Sequence, residues 1–160
     1  MKIMAVDPGE KRIGIAISDP TGTIANPHSI LTHTSRYKDA IAIIKLAIDN
    51  NIVKIVVGEA LNSDNLPTKQ SKRASRLADV IRDNCDLPVI MWDESGSTLA
   101  AYDASINLGV PRKKRKKHID DIAATYILQS YLDSKISPRS NQIQGGRETA
   151  EIQPTPDENI

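Results

Sequence analysis

The sequence predicts an α/β domain: a five-stranded mixed sheet, an antiparallel meander plus two parallel strands, flanked by helices. Three observations carry that prediction. Residues 2–7, 12–19 and 24–32 are consecutive apolar, β-branched runs joined by short turns, the pattern of a meander. From residue 36 onward, segments with apolar residues at helical spacing alternate with short apolar runs at 54–58 and 87–92, as helical crossovers between parallel strands require. At 160 residues, 39% apolar and 26% charged, the chain has the length of one domain with its own core.

The first strand delivers a carboxylate, Asp7, straight into the turn Pro8-Gly9. The second alternates Ile13, Ile15 and Ile17 against small residues, so the two read as a hairpin. The third contains Pro27, which cannot donate to a ladder and so marks an edge strand. A helix over 36–50 carries Ile41, Ile44 and Ile48. Residues 54–58 are short and β-branched, like a buried strand. A second helix follows Pro67, with Ala74, Leu77, Ala78 and Ile81 at helical spacing. The run from Leu87 to Trp92 is the last strand, and it leads into Asp93-Glu94. Ser97 is placed to cap a helix to about Leu108, which Gly109 and Pro111 end. A final helix is expected over 119–134. Beyond it lie Pro138, Gly145-Gly146, Pro154 and Pro156 without an aromatic residue. Such a segment buries too little to offset its ordering entropy. The expected division is a folded domain over 1–135 and a disordered tail over 136–160.

The single cysteine, Cys85, excludes an internal disulfide framework and suits a reducing cytoplasm. Its neighbours Asn84 and Asp86 supply no cation to activate it, so it reads as a structural thiol. No run is long enough to span a bilayer and the N-terminus does not resemble a signal peptide. A cytoplasmic protein with no membrane partner is expected.

Net charge is only +1, but Arg112, Lys113, Lys114, Arg115, Lys116 and Lys117 stand in succession. The remaining 15 basic residues face 20 acidic ones. A concentrated cationic element on a mildly acidic body suits a polyanion held at one place; the alternative is a solvated loop. With 3% aromatic residues and no Phe, backbone contacts rather than base stacking should dominate. Trp92 accordingly reads as a packing residue, and His118 as a phosphate-contacting or solvent-facing side chain.

Strands ending at Asp7, Gly58 and Trp92 point the same way if their crossovers are right-handed. Ligands on such sheets sit beyond the carboxyl ends of the strands, which puts Asp7 and Glu94 on one rim. In the final helix, Ile119, Ile122, Ala123, Ala124, Tyr126 and Ile127 mark an apolar arc. Asp120 falls inside it and Asp121 near its edge. Alone, Asp7 could be a turn former and Asp120 a first-turn acid favoured by the helix dipole. Together, Asp7, Glu94 and Asp120 are an oxygen-only set that suits Mg²⁺ or Mn²⁺. Two such ions could orient a water and stabilise the leaving oxygen of a phosphodiester.

Several motifs occur in order: Asp7-Pro-Gly-Glu-Lys-Arg-Ile-Gly14, Ile55-Val-Val-Gly58 leading to Leu61-Asn62, Trp92-Asp-Glu94, Arg112-Lys-Lys-Arg-Lys116, Ile119-Asp-Asp-Ile-Ala-Ala124 and Ile127-Leu-Gln-Ser-Tyr-Leu132. Over about residues 1–135 the set resembles the YqgF/RuvX family, the Holliday-junction-resolvase-like nucleases of the ribonuclease H superfamily. The resemblance implies a ribonuclease H-like fold, a two-metal nuclease site and a role in maturing the 5′ end of pre-16S ribosomal RNA. By position it implies Asp7, Glu94 and Asp120 as catalytic residues and metal ligands. Nucleic-acid contacts are expected from Lys11, Arg12, Asn62 and the run Arg112 to Lys117. The expected partner is an rRNA precursor or branched DNA, with ribosomal particles a further candidate; monomer and homodimer both stay open.

Two positions depart from the family pattern. Gly58-Glu59-Ala60-Leu61-Asn62 stands where the family usually reads Gly-Leu-Pro-Leu-Asn. Glu59 is either a further ligand or an exposed acid. Asp93-Glu94-Ser95 stands where it usually reads Asp-Glu-Arg, which removes a natural phosphate contact that Lys11 and Arg12 could replace. A nucleic-acid-binding module without chemistry is therefore the first alternative to a nuclease. An Asp-x-Gly turn after a first strand also occurs in actin-like kinases, but those need two such domains.

Overall fold

The computed structural model describes residues 1–93, the backbone of 112–136, and the side chains of 122–135 within that stretch. The predicted helix from Ser97 to Leu108 and the tail from 137 onward lie outside the described residues. Five strands and three helices are described: β1 (Lys2–Pro8), β2 (Arg12–Ser18), β3 (Ala25–Thr32), α1 (Arg36–Asp49), β4 (Ile52–Glu59), α2 (Lys69–Asn84), β5 (Val89–Asp93) and α3 (Arg112–Ile136).

The sheet order is β3-β2-β1-β4-β5. β1, β2 and β3 are antiparallel, while β4 and β5 run parallel to β1. Pro27 does stand on the edge strand, and the register shifts where it faces Ala16, as a residue without an N–H allows. β5 starts two residues later than predicted because Pro88 has no N–H to pair; its carbonyl instead accepts from the Ile55 N–H at 2.9 Å.

Strand alternation splits the sheet into two unlike faces. One carries Met4, Val6, Ile13, Ile15, Ile17, Ile55, Val57 and Val89, packed on α1 and α2. The other carries Ala5, Ala16 and Val56 and is covered by Ala124, Ile127, Leu128, Tyr131 and Leu132 of α3. Small residues on this second face let one helix lie close to the sheet.

α2 buries Ala74, Leu77, Ala78 and Ile81, as its spacing predicts, behind a capping box between Thr68 and Ser71. In α1 the packed face differs from the expected one. Ala40, Ile43, Ile44 and Ala47 are buried, whereas Ile41 is 40% and Ile48 67% exposed. Both stripes have helical spacing, and the one containing two alanines permits the closer approach to α2.

α3 begins at Arg112 rather than near 119. The basic run is thus helical and not a loop preceding a helix. Lys and Arg are good helix formers, and Pro111 directly before the helix offers a natural start. The packed face of α3 also differs, because Tyr126 is 48% exposed while Leu128, Tyr131 and Leu132 are buried.

Candidate active site

The β1–β2 turn fixes where the first carboxylate stands. The Gly9 N–H donates to the Arg12 carbonyl at 2.8 Å. A Cβ on Gly9 would sit 2.5 Å from that oxygen, so only glycine closes the turn this tightly. Asp7 is half-buried at the end of β1 and shares the parity of Ile3 and Ala5, which places it on the α3 face.

Its neighbours across the strands are informative. Asp7 pairs with Gly14 of β2. One step beyond the Val6–Val57 pair stands Gly58 of β4, which pairs with Trp92 of β5. Along this row the acid is flanked on both sides by residues without side chains. Only the alternation of Ile13-Gly14-Ile15 hinted at this; the matching role of Gly58 needs the register.

Gln70 was missed by sequence reasoning. From the first turn of α2 its amide nitrogen donates to the Pro8 carbonyl at 3.3 Å and reaches the Gly58 carbonyl at 3.5 Å. Its amide oxygen accepts from the Ala60 N–H at 2.7 Å. One side chain thus ties the ends of β1 and β4 together immediately behind Asp7. In the sequence it is one more polar residue on an amphipathic helix, with no signal of its own.

α3 is pinned across the α3 face by polar contacts. Gln129 accepts from the Ala25 N–H at 2.9 Å and donates to the Thr23 carbonyl at 3.1 Å. The Trp92 indole N–H donates to the Ser130 hydroxyl at 2.8 Å, and Lys54 donates to the Tyr131 hydroxyl at 3.0 Å. Trp92 also meets Tyr131 edge to face at 5.3 Å. It is a packing residue, as expected.

Glu59 pairs with Asp93 at the adjoining ends of β4 and β5. By alternation both belong to the α1/α2 face, opposite to Asp7. Burial first, then the Asp93 charge, raises the Glu59 carboxyl above its ordinary value of 4.5.

Lys11 and Arg12 are exposed at the turn beyond Asp7. Asn62 is exposed, but its side-chain oxygen accepts from the Asp64 and Leu66 N–H groups, both at 2.9 Å. That oxygen organises the β4–α2 loop. Glu94 and Ser95 lie outside the described residues, as do the side chains of Arg112 to Asp121, including His118 and Asp120. Among the described residues no three His, Cys, Asp or Glu side chains converge as a metal site would need, and no helix is long and apolar enough to cross a membrane.

A mixed five-stranded sheet with this strand order and a carboxylate ending its central strand has the ribonuclease H-like architecture. The fold matches Thermus thermophilus RuvC in complex with a Holliday junction substrate, with a TM-score of 0.51 at 13% identity over 85% of this chain and 96% of that one. It also matches the Fowlpox virus resolvase bound to Holliday junction DNA, with a TM-score of 0.52 at 19% identity over 85% and 99%. Residues 1–134 match the family model described as "RuvX: Holliday junction resolvase". The chain belongs to that family. It is 40% identical over 133 residues, 83% of this chain and 94% of the relative, to a Syntrophomonas wolfei protein named "Putative pre-16S rRNA nuclease". A Clostridium tetani relative with the same name is 37% identical over 84% of this chain and 97% of its own length.

Proposed function

We propose that this protein is a metal-dependent nuclease that hydrolyses phosphodiester bonds in structured nucleic acid, and that it trims the 5′ end of pre-16S rRNA. The observation that carries this reading is Asp7, on the carboxyl end of a central strand, half-buried between two glycine positions. Gly14 and Gly58 put no side chain on either side of it to block a phosphate or a cation. The substrate assignment rests on the names of the two bacterial relatives.

The helix supports Asp120 as a second acid. Gln129 bonds to residues at the far end of the sheet from Asp7, since Ala25 pairs with Ser18 while Asp7 pairs with Gly14. Nine residues of helix rise about 13 Å, which matches the roughly 13 Å of strand between Ile3, level with Ser18, and Asp7. Position 120 also stands one turn before Ala124 and two before Ile127 and Leu128, the buried stripe of α3. Against that stripe Asp120 is nearer the middle than Asp121. Glu94 has the sequence parity of Ile90 and Trp92, both of which pack on the α3 face.

The donor set fits a hard divalent cation, being all carboxylate on a rim where Glu59 already resists further negative charge. Mg²⁺ or Mn²⁺, expected as two ions held by Asp7, Glu94 and Asp120, would activate a water and neutralise the leaving oxygen. The chain's own contribution is to hold the strand. Six cations in the first two turns of α3, with no acid among them, oppose the helix dipole; a polyanion lying there relieves both repulsions. Lys11 and Arg12 are exposed at the β1–β2 turn, a few residues from Asp7.

The test incubates purified protein with a pre-16S rRNA precursor and with a four-way DNA junction, in Mg²⁺ and in Mn²⁺. Cutting at the rRNA 5′ end that disappears in Asp7→Asn is the expected result. Cutting of the junction alone would move the substrate to branched DNA, the reading that the family description favours. An Asp7→Asn protein that cuts as wild type does would remove Asp7 from the site.

A further inference from the structure

On the other side of the Pro8-Gly9 turn from Asp7 lies a cavity of about 210 Å³ between β1, α1 and α2. Pro8, His33, Ser35, Arg36, Asp39 and Arg73 contribute to its walls. Its one acid is already committed. Asp39 is 5% exposed, contacts the His33 ring, and accepts from the Thr34 N–H at 3.1 Å and its hydroxyl at 3.3 Å. The two guanidiniums are not committed. Neither Arg36 nor Arg73 has a hydrogen-bond or ion-pair partner among the described residues, although Arg73 is half-buried. Arg82, on the same helix, shows the ordinary arrangement, donating to the Val89 carbonyl at 2.8 Å and to Asp79 at 3.1 Å.

Two guanidiniums on one cavity wall, neither paired with the Asp39 carboxylate that shares it, leave donors that an entering anion can satisfy. The fork of five N–H donors matches the oxygens of a carboxylate or a phosphate, and of these the phosphate is the anion that a nucleic-acid strand carries. The Ser35 hydroxyl, which accepts from the Lys38 N–H at 3.2 Å, keeps its own proton available to donate. We propose that this cavity is a phosphate subsite, held by Arg73 and Arg36, and that it takes a backbone phosphate of the nucleic-acid strand adjoining the one beside Asp7. The strand crosses the Pro8-Gly9 turn, with the reacting phosphate on the α3 face and its neighbour in the cavity. The phosphate site stands on its own residues; the strand as its source rests on the function proposed above.

Binding, read without metal, separates the two. In EDTA, the full-length protein is titrated with a fluorescein-labelled fragment of the rRNA precursor by anisotropy, and with inorganic phosphate by amide NMR. Arg73→Gln should weaken RNA binding about tenfold and lower the slope of log K against log salt by about one, with Tm unchanged. Arg73→Lys should recover part of the loss, because it restores charge without the fork. Lys45→Gln, whose lysine pairs with Asp49 on α1, serves as the control and should leave RNA affinity unaltered. If Arg73→Gln binds RNA as wild type does while phosphate resonance shifts are lost, the site takes free phosphate and the strand assignment is overturned. If neither ligand responds to the substitution, the subsite itself is refuted. A protein that loses RNA affinity through Arg73→Gln yet never cuts with metal keeps the subsite and loses the nuclease reading.

Discussion

The two faces of the sheet end at the same rim but are built from opposite materials. On the α1/α2 face the strands present Met4, Val6, Ile13, Ile15 and Val57, all buried and large. On the α3 face, β1 and β2 present Ala5, Ala16 and Gly14, with Gly58 next to them on β4, and the one charge in the last row is Asp7. The large face supplies cohesion. The small face gives up buried area so that a helix and a carboxylate can come close together. Stability and the proposed chemistry thereby fall on opposite sides of the same strands, one residue apart at Val6 and Asp7.

That division can be broken from either side. Asp7→Asn should lower cleavage about a thousandfold or more and change Tm little, since Asn keeps the size and hydrogen-bonding capacity of the side chain. Ile15→Ala, on the large face, should do the converse. It should cost about 3 kcal/mol of unfolding free energy in urea, while kcat measured well below the lowered Tm stays near wild type. If Ile15→Ala abolishes cleavage in a folded protein, the faces are not independent. Between these lies the helical basic run. Replacing Lys113 and Lys114 by Gln should reduce the salt slope of RNA binding by about one to two, with no change in the unfolding midpoint.

The large face was the more legible of the two. Ile13-Ile15-Ile17 and Ala74-Leu77-Ala78-Ile81 announce their periods, and Pro27 announces its edge, because each signal lies within one element. α1 shows the limit of such signals. Its sequence holds two stripes at helical spacing, and only packing against α2 selects Ala40-Ile43-Ile44-Ala47 over Ile41 and Ile48. The start of α3 was misread for a related reason. Six adjacent cations look like a loop by repulsion, although each residue by itself favours a helix. At the rim, Asp7 could be singled out because a turn follows it. Gln70, Gly58 and the Arg36–Arg73 cavity could not, since each depends on which strand end lies beside which helix.

The smallest expected effect bears on whether the face assignment extends to the last strand residue. Glu59 is raised above 4.5 by burial and then by Asp93, so the folded state binds its proton more tightly than the unfolded chain does. Its contribution to stability is therefore fully present below pH 4.5 and is lost as pH rises through the folded value. Glu59→Gln should match wild type in acid and gain a slightly higher Tm than wild type toward neutral pH, a difference visible in thermal melts across that window. Mg²⁺ supplies the decisive arm. With Glu59 on the α1/α2 face, added Mg²⁺ should raise the Tm of wild type and Glu59→Gln equally, because under the proposed function the ions would bind the carboxylates on the other side. A Mg²⁺ response confined to wild type would place Glu59 among the ligands of Asp7, and alternation along β4 would then no longer separate the two faces at their shared rim.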